Sequence, residues 1–344
     1  MSIDQTSSAQ STLPASYAAG VRIPYAQLPA EVRDWVADQL PGPVSEIIDR
    51  RGGFSPGVAA TVQTASGDGL FVKAVTAAIN ADSLRIYRNE RDRGLRLPRL
   101  PGILKPTGAK EFGVHDRTGT EQAWIAITFP LLDGTPPAHP WSRADAVRCL
   151  DLCLRLSQQL TPAPWTDEPG ATETMVDMFG GWQRLADADD DPWLDDPWIT
   201  ERLDELIMVE QELQAALPGD TLCHFDLRAD NIMITSSGEP WFVDWAHARR
   251  AVGWLDPVFL VTDMIASGAD RGDGGELDIV ELLATHPACA AAPERLRFGL
   301  IGSWAVFLHS ASRRPASPGL PTIRTWQQLS ADAMLRFVRR VGTG

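Results

Sequence analysis

The sequence predicts an α+β chain in two lobes, a small antiparallel-sheet lobe with one helix followed by a larger, mainly helical lobe. Two observations carry this reading. The front third holds short β-prone runs punctuated by glycine and proline, whereas four long segments further on repeat their apolar residues at the helical period. A third observation turns it toward function: the short hairpin set among those helices is dense in charge that a buried strand has no use for.

The chain has 344 residues, 44% of them hydrophobic, enough to bury a large core. A net charge of -14 argues against nucleic acid or an anionic membrane surface as the main partner, because neutralising phosphates takes clustered Lys and Arg. No apolar run is long enough to span a bilayer. Of the four cysteines, Cys149, Cys153, Cys223 and Cys289, only Cys149 and Cys153 are close in sequence, with no histidine or further cysteine nearby to complete a metal site, and reduced thiols are the simpler reading. Residues 1–20 are polar and lack the basic start and apolar stretch of a secretion signal, so a flexible tail and a cytoplasmic location are expected.

Residues 21–132 are expected to form the first lobe. "VAATVQTA" and "GLFVKAV" read as strands joined by the turn "SGDG", and "GGFSPG" supplies a flexible turn before the first. "ADSLRIYRNERDRGLRL" reads as a helix capped by Asn80 or Asp82, and "AWIAITFPLL" as a buried strand. "DGTPPAHPW" breaks into the second lobe, 133–344.

There, "RADAVRCLDLCLRLSQQL", "ITERLDELIMVEQELQAAL", "LRFGLIGSWAVFLHSAS" and "SADAMLRFVRRV" carry helical periodicity. "NIMIT" and "PWFVDW" flank "SSGE" as a hairpin, and "DADDDPWLDDPW" is an acidic, Trp-bearing stretch between the first two helices.

Within "TLCHFDLRADNIMI", His224, Asp226 and Asn231 precede and open one hairpin strand, and Asp244 ends its partner. If the hairpin closes on "SSGE", Asn231 and Asp244 meet at one end. An amide oxygen beside a carboxylate is a hard-oxygen pair suited to Mg2+, which takes few protein ligands and completes its shell with phosphates and water. Each residue also has a plain structural reading: His-x-Asp marks capped turns, and Asp often ends an apolar strand. The specific signal is the ordered set HxDxxxxN, hairpin, apolar strand, Asp.

That set resembles the catalytic and metal-binding segments of the protein kinase-like fold, and "HFDLRADN … FVDW" is most similar to the aminoglycoside phosphotransferase-like family of small-molecule kinases. The resemblance implies ATP and Mg2+ as cofactors, Asp226 as acceptor of the substrate hydroxyl proton, and Asn231 and Asp244 as metal ligands. Arg228 stands where protein kinases place a lysine that steadies the transferred phosphoryl group, although a surface salt bridge also accounts for it. His224 is expected to scaffold the loop, as is Asp256 in "GWLDPVF". Asp244 is followed by Trp245 and Ala246, so an activation switch of the DFG kind is not expected.

The same resemblance asks for a lysine on a first-lobe strand and a glutamate to hold it. Lys73 shares a strand face with Phe71 and Val75, and Glu90 points along the apolar side of the following helix. Two lone charges facing one core are costly, whereas a pair explains both. Glu121, at a turn before a strand, is the lesser candidate. Gly53, Ser55 and Gly57 in "GGFSPG" stand at the nucleotide-covering turn, where backbone amides and the Ser55 hydroxyl could meet phosphate oxygens. The connector "ITFPLLDG" is expected to pair with the adenine.

The implied acceptor is a small molecule bearing a hydroxyl: an aminoglycoside or other cationic antibiotic, or a metabolite such as choline, homoserine or a fructosamine. Asp189, Asp190, Asp195, Asp196, Trp193 and Trp198 could bind a cationic acceptor by charge and cation–π contact, or simply form a solvated loop that caps the next helix. Two other functions stay open: a nucleotide-binding pseudokinase, and a metal-dependent hydrolase built on His224, Asp226 and Asp244.

Overall fold

A computed structural model describes residues 20–50, 53–115, 119–174, 178–315 and 317–342. The tail expected at residues 1–20 lies outside them up to residue 19, as does Gly52 of the "GGFSPG" turn.

The chain runs from α1 (Ala30–Ala37) into β1 (Val44–Asp49), β2 (Val58–Thr64), β3 (Gly69–Thr76), α2 (Ala81–Arg96), β4 (Gly108–His115) and β5 (Glu121–Pro130). These strands form one antiparallel sheet in the order β1-β2-β3-β5-β4. Of the two candidate caps, Asn80 opens α2: its side chain accepts the Ser83 N–H at 2.7 Å.

The sheet is covered on both faces. Tyr25, Leu28, Val32 and Val36 pack on the face lined by Val58, Ala60, Val62, Leu70, Val72 and Ala74. Leu84 and Tyr87 of α2 pack on the other, with Val75, Ile125, Ile127 and Phe129. Thus α1 adds a short helix to the one expected beside the sheet. Its eight residues bury only Val32 and Val36, too few repeats to register as a helical period.

After the short β6 (Gly134–Thr135) come α3 (Arg143–Gln159), the short α4 (Ala171–Thr174) and α5 (Gly181–Ala186), and α6 (Pro197–Ala216). Then β7 (Thr221–Cys223), β8 (Ile232–Thr235), β9 (Pro240–Phe242) and β10 (Arg249–Ala251) lead into α7 (Leu255–Ala266), α8 (Ile279–Thr285), α9 (Pro287–Ala290), α10 (Glu294–Ser312) and α11 (Ile323–Val341). One continuous hydrophobic cluster holds this part together, from Leu97 through α3, α6, α7 and α10 to Val338.

Helix α7 escapes sequence patterning because Leu255 and Pro257–Ile265 are all buried, which leaves no broad solvent-facing side to show a period. The four cysteines are free and buried. No helix among the described residues is long and apolar enough to cross a membrane.

Two contacts bring the sheet part and the helical part to the hairpin. Leu104 N–H donates to the Phe242 carbonyl at 3.1 Å, and Phe242 N–H to that of Gly102 at 2.7 Å. From α2, the Arg93 guanidinium donates to the Ala246 carbonyl and pairs with Glu168 at 2.8 Å. These contacts set α2 against the turn that follows β9.

Candidate active site

Alternation along β3 sends Leu70, Val72 and Ala74 to the α1 face, and Lys73 with Val75 to the α2 face. Lys73 exposes 11% of its side chain. Its Nζ donates to Glu90 Oε2 at 2.6 Å and to Asp244 Oδ2 at 2.9 Å, and lies 4.8 Å from the centre of the Tyr87 ring. The structure therefore joins three of the residues singled out in the sequence: one from β3, one from α2, and one 171 positions beyond Lys73.

Burial opposes the charge on Lys73, but Asp244 and Glu90 outweigh it, and its pKa rises. Burial pushes Glu90 up, and the Asp244 carboxylate adds to this, to about 7 against the pull of Lys73. Asp244 is also opposed by burial, yet the ammonium lowers its pKa. Two carboxylates share one ammonium, and Asp244 holds its negative charge the more firmly.

Asp244 follows β9 in a left-handed conformation, φ 62°, unusual for a residue with a side chain. Its Oδ1 is buried without a hydrogen-bond partner. Register pairs Ile232 with Phe242, and Val243 N–H donates to the Asn231 carbonyl at 2.9 Å, so Asn231 and Asp244 do come to one end of the hairpin. The Asn231 Nδ2 donates to the Asp226 backbone carbonyl at 2.8 Å and to Asp226 Oδ2 at 3.0 Å. With its nitrogen so used, the amide oxygen of Asn231 is left for another partner, beside the unmatched oxygen of Asp244. Such a donor set, all oxygen, fits Mg2+.

The loop between β7 and β8 is tied down along its length. His224 is fully buried; its ring Nε2 donates to the Val243 carbonyl at 2.7 Å, and its Nδ1 accepts the Asp226 N–H at 3.3 Å. These partners place the ring proton on Nε2, and the side chain is spent on holding the loop against the hairpin. Asp256 of α7 accepts the N–H groups of His224 at 2.6 Å and Phe225 at 2.9 Å, and Phe225 itself sits at φ 73°. Two helical turns on, Asp263 accepts the Ala229 N–H at 3.0 Å and the Trp141 indole at 2.9 Å. Two carboxylates seven residues apart on one face of α7 thus clamp both ends of the loop that presents Asp226. Asp263 was not singled out in the sequence; its i, i+7 spacing from Asp256 is the signal that could have found it.

Asp256→Ala is expected to leave two buried N–H groups without acceptors, at a cost of roughly 1–3 kcal/mol each. The urea midpoint should fall accordingly, and a midpoint within error of the parent would refute the clamp.

Arg228 lies between Asp226 and Asp230, its Nε 3.4 Å from an oxygen of each. It is no surface salt bridge: its side chain is 14% exposed, and its guanidinium lies 4.6 Å from the Phe54 ring centre and 5.6 Å from that of Trp326. Burial pushes Asp230 up to about 6 against the pull of Arg228. Phe54 comes from the glycine turn and Trp326 from α11, so the turn, the loop and the last helix meet on one cation.

In the turn itself, Ser55 is half-buried, and Gly53 and Gly57 have φ 93° and 121°. A Cβ on Gly57 would stand 2.6 Å from the Ala74 carbonyl oxygen, so only glycine allows the turn to close on β3. Glu121, the lesser candidate, is exposed at the start of β5.

The acidic stretch is engaged in part by the chain's own groups. Asp191 caps Trp193 N–H at 3.0 Å and accepts the His309 ring at 2.8 Å; Asp196 caps Trp198 N–H at 3.0 Å and pairs with Arg339. Trp193 is buried and stacks on His309 at 4.1 Å, Trp198 lies 5.3 Å from the Arg202 guanidinium, and Asp189, Asp190 and Asp195 are exposed. The cavity beside Asp226 is walled instead by Phe225, Phe259, Trp304, Trp326 and Met334. Phe225 neighbours Asp226 in the loop; sequence reading missed the other four because α7, α10 and α11 supply them from distant positions.

The sequence model of the phosphotransferase enzyme family matches residues 84–298 of the chain. Curated protein sequences give no match. Among solved structures, an aminoglycoside phosphotransferase from Alicyclobacillus acidocaldarius is similar over 90% of this chain and 94% of that one, at 14% identity and a TM-score of 0.47. An ethanolamine kinase from Plasmodium vivax is similar over 86% and 83%, at 12% and 0.49. A macrolide 2'-phosphotransferase from Brachybacterium faecium is similar over 89% and 98%, at 14% and 0.48.

Proposed function

The chain belongs to the phosphotransferase enzyme family, and from that premise we propose that it moves the γ-phosphate of ATP to a hydroxyl of a small molecule. The observation that carries this reading is the convergence of Lys73, Glu90 and Asp244 beside the loop that presents Asp226 and Asn231. Lys73 positions the nucleotide phosphates, with Glu90 aligning its ammonium. Asn231 and Asp244 would hold Mg2+ through the oxygens their other contacts leave over, and the metal supplies charge neutralisation on the phosphates.

Asp226 accepts the hydroxyl proton as the acceptor oxygen bonds to the γ-phosphorus and the bond to the departing ADP oxygen breaks. Arg228 lies beside Asp226 as a fixed cation for the charge that develops on the phosphoryl group. In this reading residues 21–132 form the nucleotide lobe and residues 133–344 the catalytic and acceptor lobe.

The acceptor enters beside Asp226. The acidic stretch lends no support to a polycationic acceptor: Asp196 pairs with Arg339, and neither it nor the exposed Asp189, Asp190 and Asp195 lines the cavity beside Asp226. The aromatic wall supports a hydroxyl carried on an apolar or planar ring body. Trp304 already stacks on Phe307 at 4.9 Å and meets Phe259 edge-on, which holds the wall rigid.

ADP release with ATP and Mg2+ across a panel of macrolides, aminoglycosides, choline, homoserine and fructosamines tests the proposal. Acceptor-dependent release is expected, and Trp304→Ala should raise the KM for the acceptor roughly tenfold while leaving that for ATP unchanged. ATP bound tightly with no release for any acceptor would favour an inert nucleotide-binding module.

A further inference from the structure

The glycine turn does not stand alone over the site. Residues 20–23 run beside it: Gly57 N–H donates to the Val21 carbonyl at 3.1 Å, Ile23 N–H to the Gly57 carbonyl at 3.2 Å, and Gly20 N–H to that of Gly53 at 3.4 Å. The result is a parallel bridge between Arg22 and Gly57. The strip is anchored from the other side, where Val21 N–H donates to the Gly319 carbonyl at 2.8 Å.

The side chain that this strip contributes reaches the turn. A Cβ built on Gly53 would stand 2.6 Å from Arg22 Nη2, so the guanidinium lies against the bare Cα of a residue that only glycine suits. Arg22 is half-buried, with one terminal nitrogen shielded from solvent. Burial pushes the Tyr87 phenol up, against the charges of Lys73 and then Arg22, and Lys73 Nζ lies 4.8 Å from the centre of that buried ring.

We propose that Arg22 is a second phosphate-binding cation of the nucleotide site, delivered beneath the glycine turn by the strip that precedes the sheet. This rests on the phosphotransferase reading. The chemistry asks for such a group: Lys73 is shared between two carboxylates, which leaves their joint charge negative before any nucleotide arrives. A triphosphate brings further negative charge, and a guanidinium is the side chain best shaped to bind it through paired N–H groups. The absence of a side chain at Gly53 gives the guanidinium its berth beside the turn amides.

The test is calorimetric binding of ATP with Mg2+, and of adenosine, to the full chain and its Arg22→Ala and Arg22→Lys variants, with thermal melts of each. Arg22→Ala should weaken ATP about tenfold, equivalent to about 1.4 kcal/mol, leave adenosine within twofold, and be partly rescued by lysine. Equal losses for ATP and adenosine would make Arg22 a brace of the turn only, and unchanged ATP affinity would also overturn the proposal. Failure of the parent chain itself to bind ATP would instead bring down the nucleotide reading on which this one rests.

Discussion

Asp226→Asn is expected to lower kcat by roughly 10²–10⁴-fold, the usual worth of a positioned general base, with ATP affinity kept. The substitution is nearly isosteric. The Asp226 backbone carbonyl still accepts the Asn231 amide at 2.8 Å, and the loop remains clamped by Asp256 and Asp263, so the fold should be undisturbed. Arg228 loses one of its two carboxylates but keeps Asp230, 3.4 Å away. Single-turnover rates beside ATP titrations separate the two effects. A variant that transfers phosphate at the parent rate would show that Asp226 accepts no proton.

Lys73→Ala is the second large effect, and it should strike binding and stability together. Removing the ammonium leaves Glu90, 2% exposed, and Asp244 facing each other without a counter-charge. Breaking a buried ion pair from one side costs about 3–5 kcal/mol. Part of that cost would be relieved by protonation of Glu90, already raised to about 7 by burial and by Asp244.

The sign follows from that shift. With a folded pKa above the ordinary carboxylate value, protonated Glu90 favours the folded state at low pH. That contribution fades as pH rises from the ordinary value near 4.5 through about 7. The loss of stability in Lys73→Ala should therefore be larger at pH 8 than at pH 5. ATP affinity should fall about 10–150-fold, matching roughly 1.5–3 kcal/mol for a charge-assisted contact. Urea midpoints at the two pH values and ATP titrations measure both, and unchanged ATP affinity would remove Lys73 from the phosphate site.

Much of this arrangement is legible along the chain because its signals are local. The alternation of β3 puts Lys73 on the face of Phe71 and Val75, and the period of α2 turns Glu90 inward. Spacing across a four-residue turn brings Asn231 and Asp244 together, since hairpin register follows from loop length. Other parts carry no local signal. Helix α1 is too short to show a period, and α7 is buried almost all round, which leaves no solvent-facing side to mark one.

What the sequence by itself determined is the two-part α+β plan, the ordered motif around Asp226, and the pair Lys73 and Glu90. An unpaired buried charge is so costly that its position along the chain announces a partner. Only the tertiary structure decided which carboxylates hold the loop, where Arg228 rests, and what walls the cavity beside Asp226. Asp256 and Asp263 reach the loop across 31–34 positions, and Phe54, Arg228 and Trp326 meet from three separate elements. Contacts between residues so far apart are set by how the helices pack. The acidic stretch shows the same limit: composition announced its charge, and only packing showed that Asp191 and Asp196 are engaged by His309 and Arg339.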